Sequence, residues 1–155
     1  VLFLGDSMNT TNKTAELPER SGSKSGWLLM FRLAGVFNIA VAIPLWIAPA
    51  ALSRLLGLEP IPVDTLYTDL FAVLVLTFGI GYWRVGGDPV RNRVMIDQGI
   101  IGKLLVVFVG YQHFLVGTTS FPMAALVTCD LVWAIFFLRY LLIHPERRIG
   151  DRSAA

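Results

Sequence analysis

IIGKLLVVFVGY, residues 100–111, decides how this chain folds. A single cation, Lys103, stands in a run otherwise made of aliphatic, aromatic and glycine residues. An unpaired charge at bilayer depth costs at least ~2.5–3.5 kcal/mol, so such residues persist where they face protein, pair, or serve a site. The pattern recurs twice. Arg32 lies in WLLMFRLAGVFNIAVAIPLWIAPAAL (27–52), and Asp130 lies in AALVTCDLVWAIFF (124–137). Each run reads as a membrane span carrying one ionisable group. Together they predict a polytopic membrane protein with a polar interior.

Composition agrees. The chain has 155 residues, 55% hydrophobic and 15% charged, with mean hydropathy +0.64. A soluble domain carries roughly 25% charge. A formal charge of +2, with no basic stripe interleaved with aromatics, argues against nucleic-acid binding. The lone cysteine, Cys129, rules out an intrachain disulfide and Cys-x-x-Cys redox chemistry. Its apolar neighbours favour a small packed residue over a reactive thiol.

Four spans are expected, at about 27–52, 66–85, 94–116 and 121–143, forming one transmembrane domain over 27–143. Pro44 inside the first span should kink it or free a carbonyl. ALSRLLGL (51–58) is amphipathic and suits an interface. Gly79 and Gly81 on the second span would let another helix approach closely. Gly-Gly-Asp-Pro (86–89) signals a turn, with a helix start at Pro89. VLFLGDSM (1–8) resembles a viral-protease recognition remnant, with Leu4 where Gln is usual, so Met8 reads as the native start. Residues 9–26 read as a polar tail, as do residues 144–155.

Cations set the orientation. Lys13, Arg20 and Lys24 precede the first span. Arg84, Arg91 and Arg93 lie between spans two and three. Arg139, Arg147, Arg148 and Arg152 close the chain. The opposite side offers only Arg54, and GTTSFP (117–122) has no charge. The positive-inside bias predicts an all-α, integral membrane four-helix bundle with both termini cytoplasmic.

Helical rise brings the polar groups to similar depth. Arg32 falls roughly 8 Å below the cytoplasmic boundary, Lys103 roughly 13 Å, Asn38 roughly 16 Å and Asp130 about 20 Å. Tyr82 is shallower. Arg32, Gly35 and Asn38 recur every third residue as an inward stripe, and Gly99 and Gly102 flank Lys103. Asp130 is the only carboxylate deep in the body and the best counter-ion for Lys103 or Arg32. The candidate cluster is Arg32, Asn38, Tyr82, Lys103 and Asp130, with Trp46 and Trp133 as apolar walls. Its readings are a pair that fixes helix register, a ligand pocket, or a proton or ion path. His113 reads as interfacial and His144 as a surface residue, without metal-ligand spacing. Asp88, Arg91 and Asn92 read as a solvated turn. No nucleophile motif, phosphate loop or carboxylate pair is present.

FRLAGVFNIAVAIPLWIAP (31–49), FGIGYW (78–83), DPVRNR (88–93), GIIGKLL (99–105) and CDLVWA (129–134) resemble the DoxX-like group of small bacterial four-helix membrane proteins. The resemblance covers residues 27–143. It implies a bacterial cytoplasmic membrane location, an accessory role in quinone-linked respiratory oxidation, and contact with a quinone or lipid. The first expectation for function is a non-enzymatic polytopic protein, self-assembling or an accessory subunit. Its partners would be membrane lipid and either further copies or other membrane subunits. The alternative is a quinone- or lipid-binding redox component using the polar pocket. A transporter is disfavoured, because no inverted repeat is visible.

Overall fold

A computed structural model describes residues 21–58 and 65–145. They form five helices: α1 Ser21–Ile47, α2 Pro49–Leu55, α3 Leu66–Val85, α4 Arg93–Leu115 and α5 Phe121–Ile143. All but α2 are long and apolar enough to cross a membrane. Even α3, with 20 residues, reaches about 30 Å, the thickness of the hydrocarbon core. The expectations for residues 1–20 and 146–155 lie outside the described residues.

Three boundaries differ from the expected ones. Helix α1 starts at Ser21, inside the expected polar tail. Extending a formed helix costs far less than nucleating one, so polar residues continue it. The first expected span is split, because α1 stops at Ile47 and α2 begins at Pro49. Ala48 between them has φ −144° and ψ 52°, since a residue before proline is pushed out of the helical region. Pro44, by contrast, stays inside α1. The third difference is at Pro89, where residues 89–92 form a turn and α4 begins at Arg93. Asp88 Oδ1 accepts from the Arg91 N–H at 3.0 Å, and the Asn92 amide donates to the Asp88 carbonyl at 2.7 Å. The turn's polar groups satisfy one another.

Helix α1 lies along α3, and α4 lies along α5. Glycine permits the first pairing. A Cβ on Gly35 would sit 2.8 Å from the Gly79 carbonyl oxygen and 2.9 Å from the Trp83 nitrogen. The two backbones are therefore in direct contact. In the α4–α5 pair Gly110 lies against Val127, and the Tyr111 and Thr128 hydroxyls are 2.8 Å apart. Helices α3 and α4 touch much less.

The two pairs are joined by rings near Trp27. Phe31, Tyr82 and Phe137 are buried, with centroids 5.1 Å apart for Phe31–Phe137 and 4.9 Å for Tyr82–Phe137. These are ordinary tilted or edge contacts. Trp27 meets Tyr140 edge-on, and Tyr140 stacks on His144 at 4.5 Å. Arg93 donates to the His144 carbonyl at 2.6 Å. His144 is thus half-buried in this layer, not a free surface residue. At the other end Ser120 donates to the Leu56 carbonyl.

Candidate functional site

The centre of the site is Lys103, on α4 and only 4% exposed. Its ammonium donates to Asp130 Oδ1 on α5 and to Asn38 Oδ1 on α1, the latter at 3.3 Å. It lies 5.3 Å from the Tyr82 ring centroid on α3 and 5.8 Å from that of Phe37. All four long helices therefore converge on one charge. Leaving either ion unpaired in this apolar setting would be costly, and the pair plus the asparagine answers that cost. The glycines explain how the side chain fits. A Cβ on Gly99 would meet the Tyr82 ring at 2.8 Å, so Tyr82 lies directly on α4 one turn from Lys103.

Arg32 does not join the cluster. It is exposed and sits over the Trp83 ring, 5.7 Å from the centroid. The three-residue stripe misled because each step of three falls short of a full turn by about 60°, so two steps carry Arg32 about 120° from Asn38. The same stripe puts Gly35 against α3 and Asn38 against Lys103. The wall residues also need correction. Trp46 is exposed, and Trp133 packs on Phe37 and Phe136 instead of facing the cluster's cavity. Cys129 is exposed rather than packed, its thiol 3.6 Å from the Ala125 carbonyl. His113 pairs with Thr118 at 2.8 Å, away from the cluster.

A cavity of about 230 Å³ opens beside the ion pair. Its polar wall is Asn38, Tyr82, Lys103 and Asp130, and its apolar wall includes Phe37, Phe71, Leu74, Phe78, Val106 and Leu126. Gly102 faces it with room to spare, the nearest atom to a Cβ there being Phe78 Cζ at 4.0 Å. Sequence reading missed the apolar wall, because nothing in a run of leucine, valine and phenylalanine separates a cavity face from a lipid face. The arrangement can hold a mostly apolar molecule and fix one polar group on it.

Searches against protein-family models, curated proteins and solved structures find no match to the chain. Function therefore rests on the chemistry of the site.

Proposed function

We propose that this chain is a non-enzymatic, membrane-embedded binding bundle that holds a lipophilic molecule, a quinone or a lipid, by one polar group. The observation that carries the reading is the apolar cavity with Lys103, Asp130 and Asn38 in its wall. A pair needed only to fix helix register would do its work without an adjoining space. No nucleophile, base and electrophile can be assembled from these groups as a reacting set. The DoxX-like resemblance supports a small bacterial cytoplasmic-membrane protein. The positive-inside bias supports cytoplasmic termini, since Arg84, Arg91, Arg93 and Arg139 lie toward the Trp27 end.

The test compares the wild-type chain with the Lys103→Met, Asp130→Leu double variant, both purified in mild detergent and extracted for small molecules. A stoichiometric lipophile on the wild type and none on the folded double variant is the expected result. Identical extracts from both would overturn binding at this site. A stoichiometric membrane subunit accompanying an empty wild-type chain would establish the accessory-subunit reading instead.

A further inference from the structure

Beyond the first cavity lies a second, larger and more open one of about 560 Å³. Phe71, Val106, Met123 and Val127 line both. The two spaces therefore adjoin across these four side chains. The outer chamber is flanked by exposed Leu105 and Val109 at mid-α4 and by Phe71 on α3. Its mouth therefore lies along the α3–α4 seam, where the two helices touch far less than α1 with α3 or α4 with α5. The inner chamber alone is smaller than the usual ligand site of about 300–1,000 Å³, whereas both together fall within that range.

The head chemistry follows from charge. Lys103 and Asp130 already cancel, and the pair sits in an apolar wall. An anionic head would bring an uncompensated negative charge beside Asp130, and a cationic head would do the same beside Lys103. A lysine ammonium has three donors. Two are directed at Asp130 and Asn38, which leaves one for a neutral acceptor such as a carbonyl oxygen.

We infer that the site takes a neutral, single-tailed lipid whose carbonyl head meets Lys103 in the inner chamber. Its tail passes between Val106 and Met123 into the outer chamber and leaves sideways between α3 and α4. This rests on the binding reading above and adds the ligand's charge, shape and route. The outer chamber is walled mainly by Phe71, Leu105, Val106 and Val109, with His113, Thr118 and Thr119 at its α4–α5 turn end, so its mouth beside mid-α4 faces hydrocarbon in a spanning bundle. A lipid could then enter without crossing the water phase.

The experiment measures binding of methyl hexadecanoate, methyl hexanoate and hexadecanesulfonate to the full chain in detergent by displacement of labelled methyl hexadecanoate. The long ester should bind at least tenfold tighter than either comparator. Val109→Trp, at a residue that lines the outer chamber and not the inner one, should weaken the long ester at least tenfold and leave the short one within about twofold. Val109→Phe is the milder substitute if the tryptophan does not fold. Sulfonate binding equal to the ester's would overturn the neutral head. A folded Val109 variant that binds the long ester like wild type would overturn the tail's route, because simple partition into detergent would not respond to the outer chamber. If the wild type binds neither ester yet carries a stoichiometric lipophile on extraction, only the inference falls; if it binds neither and its extract is empty, the binding reading falls with it. If both esters bind alike in every variant, only the inference falls.

Discussion

At the Trp27 end, Phe31 and Phe137 are 0% exposed, Tyr82 is 2% exposed, and their rings touch across helix pairs. Farther along, the same four long helices leave a cavity of about 230 Å³. Hydrophobicity does not separate the two regions, since both are walled by large apolar residues. The difference is that rings in one region reach across from both pairs, whereas in the other Asn38, Lys103 and Asp130 occupy the centre. A buried charge needs hydrogen-bond partners at set distances, which Asp130 and Asn38 give Lys103. One region holds the bundle together, and the other holds space open beside a polar group.

The largest expected effect tests that division. Phe137→Ala removes ring contacts with both Phe31 and Tyr82, and should cost about 3–5 kcal/mol. Leu126→Ala, on the half-buried cavity wall, enlarges a space that already exists and should cost less than about 2 kcal/mol. Unfolding of both variants in mixed denaturing and mild detergent would compare them. Equal losses would mean the cavity wall is as structural as the ring layer.

The ion pair comes next. Lys103→Met leaves Asp130 without its cation and should cost on the order of 3 kcal/mol, the low end for breaking a buried pair, because Asp130 keeps some exposure. Asp130→Leu should cost a similar amount. The double variant should recover much of it, since no orphan charge remains. Additive losses in the same unfolding assay would show that the two residues act independently, contrary to their contact.

Much of this was legible in the sequence, and the reason is physical. Runs such as residues 66–85 and 121–143 must span as helices, because only an internally bonded backbone is tolerated in hydrocarbon. Asn38, Lys103 and Asp130 stood out because polar groups are rare there. The cavity walls did not. A lipid-facing helix is apolar on every side, so the stripe that reveals a buried face in a soluble protein is missing. Arg32 was misplaced for a related reason. Depth along a helix can be counted, but facing depends on accumulated rotation and on which neighbour a glycine admits. The break at Ala48–Pro49 falls inside the expected first span, because Pro49 forces Ala48 out of the helical region.

Glycines sharpen the comparison at smaller magnitude. Gly35→Ala drives a methyl into α3 backbone atoms that cannot rotate away, so the helices must separate, at about 1–3 kcal/mol. Gly102→Ala meets nothing closer than 4.0 Å and should be neutral or slightly stabilising, since alanine favours helix by roughly 0.5–1 kcal/mol. Its predicted signature is reduced ligand binding with no loss of stability. A destabilised Gly102→Ala variant would show that the cavity closes in solution.

The smallest expected loss of stability concerns how the end away from the rings is tied. Ser120 does two things there. Its hydroxyl caps α5 by accepting from the Met123 N–H at 3.3 Å, and it donates to the Leu56 carbonyl. Gly57, next to that carbonyl, has φ +64° and lies against Ser120, so the chain after α2 turns back onto the cap. Ser120→Ala removes both bonds and should cost about 1 kcal/mol. Glycine is nearly as good a cap as serine, within a few tenths of a kcal/mol, but cannot reach Leu56. Ser120→Gly therefore separates the roles. If it unfolds close to wild type, the cap carries the effect and α2 is held by other contacts. If it unfolds with Ser120→Ala, the bond to Leu56 carries it. In that case the polar contact from Ser120 to Leu56 is what ties the end of α2 to α5, where the Trp27 end is tied by a layer of rings.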